Sequence, residues 1–371
     1  MPVVKSNILI TGINGFVGRG LAAALQGSDR LVKGTERGDR ILKKRGLKNG
    51  FQIFVTGEID ERTDWSEALD GIDVVVHLAA RVHVMDDLAD DPLAEFRKVN
   101  TAGTLNLARQ AVAAGVKRFI FISSIKVNGE LTGRPGNKGK YGLTQRCKDA
   151  QVKKKRNEEI SFFSEEDVAC PQDAYAVSKY EAEQGLLAIA EETGMEVVII
   201  RPPLVYGPGV KANFRLLMKW VQRGVPLPLG AVHNKRSFVA LDNLVSFIIY
   251  CIDHPRAANE VFLISDGEDV STTELLQKMA RAFGKRSFLM PVPVGLMTFL
   301  AGLIHRLCRF TQINRKTKNG FMQRRTGAKV EDIADRLFGS LQVNSSKARD
   351  LLGWEPVVSM DEALKRTAER W

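Results

Sequence analysis

The apolar run Val4–Ile10 passes directly into Thr11-Gly12-Ile13-Asn14-Gly15-Phe16-Val17-Gly18, and then into an apolar helical pattern over Phe16–Gln26. No other stretch restricts the chain as much. Glycine supplies the backbone angles of a tight turn, a missing side chain lets a pyrophosphate approach, and the first N–H groups of a helix attract anions. A G-x-x-G-x-x-G between strand and helix therefore predicts dinucleotide binding at Gly12, Gly15, Phe16 and Gly18. An acid about 20 residues further on would hold the ribose hydroxyls. Glu36 lies 18 residues after Gly18 and favours NAD; its neighbour Arg37 would suit a 2′-phosphate, so NADP stays open.

The pattern continues as alternation. Apolar runs at Phe51–Val55, Val74–Leu78, Phe119–Ile122 and Val197–Arg201 are interleaved with helical patterns at Pro92–Ala114 and Asp173–Thr193. This predicts an α/β fold, a Rossmann doubly wound parallel sheet covered on both faces. Pro202, Pro203, Gly207, Pro208 and Gly209 then break the pattern, before a helix at Asn213–Arg223 and a strand at Val261–Ser265. The expected division is a dinucleotide-binding domain over 1–202, with a basic insertion at about 131–164 and its sheet completed by about 236–265. A smaller interleaved C-terminal substrate lobe takes 203–235 and 266–371. A chain of 371 residues is long enough for both.

The net charge of +11 is concentrated in one place. Nine basic residues between Gly133 and Arg156 face only Asp149, so this segment supplies +8 and the rest +3. A run of this kind reads first as a solvated loop, and nucleic acid is not an expected partner. The four cysteines form no C-x-x-C pair, which argues against a zinc site or disulfide scaffold and fits a reducing, cytoplasmic setting. No metal is expected, nor is a secretory signal. The apolar stretch Leu289–Ile304 falls short of the ~20 residues that cross a bilayer. Within 292–309, Val294, Met297, Leu300, Ala301, Ile304 and Leu307 recur at helical spacing, with His305, Arg306 and Arg309 at the C-terminal end. The favoured reading is a helix packed in the substrate lobe; the alternative is peripheral contact with an anionic membrane, assisted by the basic insertion.

Tyr175 and Lys179 are spaced i,i+4 at the start of a helix and share a face. A nearby ammonium favours a phenolate, so Lys179 is expected to lower the Tyr175 pKa. Ser123 and Ser124 end the strand Phe119–Ile122, where a hydroxyl can bond a substrate oxygen.

Several motifs now occur in a fixed order: the glycine turn Thr11–Gly18, His77-Leu78-Ala79-Ala80, Val99-Asn100, Ser123-Ser124, Tyr175-x-x-x-Lys179, Arg201-Pro202 and Val205-Tyr206-Gly207-Pro208-Gly209. Together they resemble the extended short-chain dehydrogenases/reductases, the nucleotide-sugar epimerases, dehydratases and reductases. The resemblance implies Ser124, Tyr175 and Lys179 as catalytic residues. It implies cofactor contacts at Glu58 and Ile59 near the adenine, at Ala79, Asn100 and Lys179, and at Pro202 beside the nicotinamide. His77 is expected to be structural. Asn213 and Arg236 match substrate positions, Arg236 as a diphosphate ligand, with Arg336 a second candidate. Leu351-Leu352-Gly353-Trp354-Glu355-Pro356 resembles the family's L-G-W-x-P tail. A homodimer is expected.

The tracts Gly209–Phe214, Pro226–Gly230 and Ser340–Ser345 resemble those of enzymes of polysaccharide and O-antigen biosynthesis acting at C4 of UDP-N-acetylhexosamines, with some relatives acting on lipid-linked sugars. This leans the reading towards a 4-keto-sugar reductase in envelope polysaccharide precursor synthesis. One alternative is a UDP-glucose/UDP-N-acetylglucosamine 4-epimerase with retained NAD; another is a non-catalytic nucleotide-binding protein whose basic loop meets a polyanion. Two departures stand out. Val127-Asn128-Gly129 replaces the usual V-Y-G, and Ser124 lies 51 residues before Tyr175, about twice the family spacing. The excess is the basic segment, expected as a loop near the substrate mouth.

Overall fold

The computed structural model describes residues 5–38, 44–48, 51–82, 90–132, 162–293, 295–297 and 337–371. The first half runs β1 (Ile8–Thr11), α1 (Phe16–Leu25), β2 (Val32–Glu36), β3 (Lys44–Lys48), β4 (Phe51–Val55), α2 (Ser66–Leu69), β5 (Val74–His77), α3 (Pro92–Phe96), α4 (Thr104–Ala113) and β6 (Arg118–Ile122). The second half runs α5 (Ala174–Thr193), β7 (Glu196–Arg201), β8 (Leu204–Tyr206), α6 (Ala212–Gln222), β9 (Arg236–Ala240), α7 (Leu241–Asp253), β10 (Glu260–Leu263), β11 (Asp269–Val270), α8 (Thr272–Ala282), α9 (Ser346–Leu352) and α10 (Met360–Glu369).

The main sheet has the order β10-β7-β6-β5-β1-β2-β4-β3. Seven strands are parallel, and β3 closes the β4 edge in antiparallel fashion. The chain builds outward from β1 to β2 and β4 on one side, then returns to β5 and builds the other way. A crevice therefore opens beyond the carboxyl ends of β1 and β5, where Thr11 and His77 are register partners.

Successive side chains of a strand point to opposite faces. Ile8 and Ile10 enter one core with Val74, Val76, α7 residues such as Phe247 and Ile248, and Trp354. Leu9 and Val75 enter the other, with Phe119, Phe121, Leu107 and Ala108 of α4, and Ala182 and Leu186 of α5. A third core joins Phe214 and Met218 of α6, Leu275 and Met279 of α8, Leu364 of α10, and Tyr206 and Phe238 of a small sheet ordered β11-β9-β8.

The stretch Pro92–Ala114, read as one helix, is divided. A π-helical segment, Arg97–Gly103, separates α3 from α4. Strands β3, β8 and β11 were not read from the sequence, and of 236–265, expected to complete the main sheet, β10 does so while β9 joins the small sheet. Cys170, one of the supposedly scattered thiols, is disulfide-bonded. Arg336, the Gly133–Arg156 segment and most of 292–309 lie outside the described residues. Among those described, no helix is long and apolar enough to cross a membrane.

Candidate active site

The glycine turn is held from several sides. Ile13 N donates to Thr35 O at 3.1 Å and Gly15 N to Gly12 O at 2.8 Å. Gly12 has φ +69°, a left-handed conformation suited to glycine. At Gly18 a Cβ would sit 2.3 Å from the Gly12 carbonyl oxygen. α1 starts with no side-chain cap and no acid in its first turn. Its opening N–H groups thus face the crevice side of the turn as an anion cradle. Glu36 ends β2, buried, and its carboxylate accepts from Asn14 of the turn, while Arg37 is exposed. Ser123 Oγ, at the end of β6, is buried without a hydrogen-bond partner. A tight phosphate cradle, an acid at the end of the next strand and an orphaned hydroxyl at the end of β6, on the other side of β1, fit a dinucleotide.

A hydrogen-bonded chain links this turn to Tyr175. Thr11 Oγ1 accepts from Leu78 N and Ala79 N, each at 3.2 Å, and lies 2.7 Å from His77 Nδ1. His77 Nε2 lies 3.0 Å from Thr104 Oγ1, whose hydroxyl donates its one proton to Asn100 O at 2.7 Å. His77 must therefore donate through Nε2–H and accept at Nδ1 from Thr11. Burial, then the Lys179 charge, lowers the His77 pKa to about 3, so it stays neutral. Asn100 accepts from Arg81 N at 2.8 Å and donates to Arg81 O and Ser178 Oγ, both at 3.0 Å. Ser178 Oγ donates to Tyr175 O at 2.8 Å. The π-helical segment places Asn100 and Thr104 for these contacts, an arrangement common near functional sites.

Ser124 precedes a short 3₁₀ turn, Ile125–Val127, and its hydroxyl accepts from Lys126 N at 3.3 Å. Ile125 N donates to Pro202 O at 3.0 Å, which ties this turn to the end of β7. Lys126 Nζ bonds Asp173 and, at 3.2 Å, Glu130. Burial works against its ammonium, but Asp173 and Glu130 outweigh it and the Lys126 pKa is raised. Asp173 also caps α5 by accepting from Ala176 N at 2.7 Å. Ser124 and the helix carrying Tyr175 are thus fastened at one point. Sequence reading missed Lys126 and Asp173; the acid just before the helical pattern was the available signal for the cap.

Lys179 is buried, donates to Ile122 O at 2.8 Å and lies 4.3 Å from the centre of the Phe121 ring. Burial pushes its ammonium down to about 7, against the opposing pull of Glu183. Tyr175 departs from expectation. Burial, then the Asp173 carboxylate, pushes its pKa up; Lys179, bonded to the strand end, is not among the groups that move it. Arg201 is buried and pairs with Glu183 at 3.0 and 2.5 Å, and donates to Asn128 Oδ1 at 3.0 Å. Asn128, in the place of the usual tyrosine, thereby holds β7.

The other candidates are dispersed. Glu58 is exposed, 3.7 Å from Lys98, while Ile59 packs over Gly103. Asn213 is exposed in the first turn of α6. Arg236 donates to Gly339 O at 3.0 Å. The groove of about 1030 Å³ between α1 and α7 contains none of the candidate residues except Phe16.

Comparison with known proteins gives the family. A UDP-glucose 4-epimerase from Vibrio cholerae is 44% identical over 370 residues, covering 99% of this chain and 95% of its own. An N-acetyl-alpha-D-glucosaminyl-diphospho-ditrans,octacis-undecaprenol 4-epimerase from Escherichia coli O157:H7 is 28% identical, covering 79% of this chain and 78% of its own. The crystal structure of a UDP-glucose 4-epimerase with UDP-glucose from Thermotoga maritima shares the fold, with a TM-score of 0.66 at 22% identity and 98% of each chain covered. Residues 8–265 match the model of the NAD dependent epimerase/dehydratase family. The chain belongs to that family: it is an enzyme of the short-chain dehydrogenase type, and NAD is its cofactor.

Proposed function

We propose that the protein is a nucleotide-sugar 4-epimerase, acting on sugars of the UDP-glucose/UDP-N-acetylglucosamine class with NAD retained through turnover. This replaces the reductase towards which the sequence leaned. The observation that carries it is the 44% identity to the Vibrio cholerae UDP-glucose 4-epimerase across 99% of the chain.

NAD supplies a hydride acceptor and donor at the nicotinamide. Gly12, Gly15 and the α1 terminus hold its pyrophosphate, with Phe16 and Gly18 forming the turn. Glu36, tied to Asn14, takes the ribose hydroxyls, and the exposed Arg37 leaves NAD favoured over NADP. Ile59 and Glu58 flank the adenine, and Ala79, Asn100 and Pro202 line the remaining path. Tyr175 would take the proton of the sugar O4 in the oxidation half of the reaction and give it back in the reduction half. Ser124 holds the oxygen throughout. Lys179, one turn along from Tyr175, would hold the nicotinamide ribose. Arg236, in β9 of the small sheet, and Asn213, in α6, meet the diphosphate and sugar. The protein acts as a cytoplasmic homodimer supplying envelope polysaccharide precursors.

The test is purification without added nucleotide, release of bound cofactor by denaturation, and incubation with UDP-glucose, UDP-galactose and UDP-N-acetylglucosamine. An epimerase releases NAD(H) and interconverts C4 epimers with none added. A requirement for stoichiometric NADH or NADPH and a keto substrate would return the reading to a reductase.

A further inference from the structure

The two longest stretches of the chain without aspartate or glutamate are 275–330 and 197–241. Where they are described, the structure joins them. Leu227 N donates to Phe288 O at 2.9 Å, Met290 N to Leu227 O at 2.8 Å, and Gly230 N to Met290 O at 2.9 Å. Lys285 Nζ donates to Gln222 O at the end of α6.

α6 has a sharply divided surface. Phe214, Met218 and Val221 are buried. Outward lie Leu216 and Trp220, 44% and 36% exposed and one turn apart, beside a stripe of exposed cations at Arg215, Lys219 and Arg223. The paired segment adjoins the end of α6. Leu227 is buried against its partner strand, whereas Phe288 and Met290 alternate outward at 62% and 47% exposure. Val225 and Leu296 are also exposed, as are Arg281, Lys285 and Arg286.

Apolar side chains among cations, with no anion from either segment, are the composition of a surface that rests on anionic lipid. The apolar groups enter the headgroup region, a position tryptophan favours, and the cations meet phosphate. A second copy of the same face would set like charges against each other. We propose that the face built by α6, the segment after it and residues 285–293, with Leu296, docks the protein on an anionic membrane surface.

The test is co-sedimentation of the full chain with phosphatidylglycerol-containing vesicles and with phosphatidylcholine vesicles, at low and high salt. The protein is expected to pellet with the anionic vesicles only, and less at high salt. Lys219→Gln with Arg223→Gln should lower the partition coefficient roughly 30-fold, at about fivefold per cation. Leu216→Ser with Trp220→Ser should lower it at least about tenfold. Both pairs are surface changes, so circular dichroism and bound NAD(H) should match wild type. Wild-type protein that stays in the supernatant overturns the proposal, as does equal pelleting with both lipids. So does wild-type binding by both pairs, even if glutamines at Lys153, Lys154, Lys155 and Arg156 abolish it. A dimer that Trp220→Ser splits would assign the face to a second copy and also overturn it.

Discussion

Replacing His77 by glutamine should alter stability with a sign that depends on pH. His77 is fully buried and bridges Thr11 and Thr104 at 2.7 and 3.0 Å. Glutamine can still reach one threonine, but the buried Thr11 hydroxyl proton loses its acceptor, at a cost of about 1–3 kcal/mol. The variant is therefore less stable near neutral pH. The folded protein holds the imidazole at about 3 against 6.5 when unfolded, so its contribution is fully present above 6.5 and is lost as the pH falls towards 3. Wild type loses up to about 1.4 kcal/mol per pH unit in that window, because the unfolded chain binds a proton that the folded one refuses. Glutamine loses none. Two units below 6.5 the difference amounts to about 2.7 kcal/mol, so the two stabilities should cross near pH 5. Lys179 titrates in a separate window, between 10.5 and about 7. Carboxylates common to both proteins cancel in the comparison. Urea titrations at several pH values between neutrality and about pH 4.5 measure it. A stability gap that stays constant across this range would refute the neutral, two-sided histidine.

Tyr175→Phe should keep bound NAD(H) and lower turnover roughly 10²–10⁴-fold; near wild-type turnover would remove Tyr175 as the acid/base. Glu36→Ala should weaken NAD binding, measured by titration of cofactor-stripped protein, while Arg37→Ala leaves it unchanged; the reverse order would make this strand end an NADP site. Lys126→Met leaves Asp173 uncompensated beside α5. Since Asp173 already raises the Tyr175 pKa, the limb of the pH–rate profile that reports the phenolate should move to higher pH. An unmoved limb would show that Lys126 serves only to hold the turn.

What could be read in advance was local. The turn at Thr11–Gly18, the buried runs of β1, β5, β6 and β7, and the spacing of Tyr175 and Lys179 are set by neighbours in sequence. What could not be read depends on distant groups. β8 and β9 pair residues more than 30 apart, such as Leu204 and Phe238. The π-helical segment gains its bonds from Arg81 and Ser178, which no window around Asn100 contains. The Tyr175 pKa was misjudged for the same reason. The i,i+4 rule placed Lys179 on the right face but said nothing of burial or of the strand carbonyl that takes its ammonium.

The 51-residue spacing from Ser124 to Tyr175 suggested a loop near the substrate mouth. The described ends of that stretch argue for insulation instead. Thr132 N donates to Ser340 O and Phe163 N to Gln342 O, each at 2.8 Å, so the chain leaves and returns at adjoining points of one segment. That segment is itself fastened to β9, through Leu341 N to Lys235 O and Ser237 N to Leu341 O, both 2.8 Å. After the return, Ser164 O accepts from Asn128 at 2.9 Å, Cys170 N donates to Val127 O at 2.8 Å, and Asp173 takes Lys126. Three consecutive residues, Lys126 to Asn128, thus hold the approach to α5 whatever chain lies between. Closing a loop of twice the length costs only about 0.6 kcal/mol more. One charge-assisted bond such as that of Lys126 to Asp173 contributes about 1.5–3 kcal/mol, enough to offset it. The replacement of tyrosine by Asn128 belongs to the same arrangement, since its amide reaches Arg201 on one side and Ser164 on the other. The unusual spacing and the unusual residue therefore have one physical explanation: the insertion is attached beside the Ser124 turn, and Asn128 forms part of the attachment.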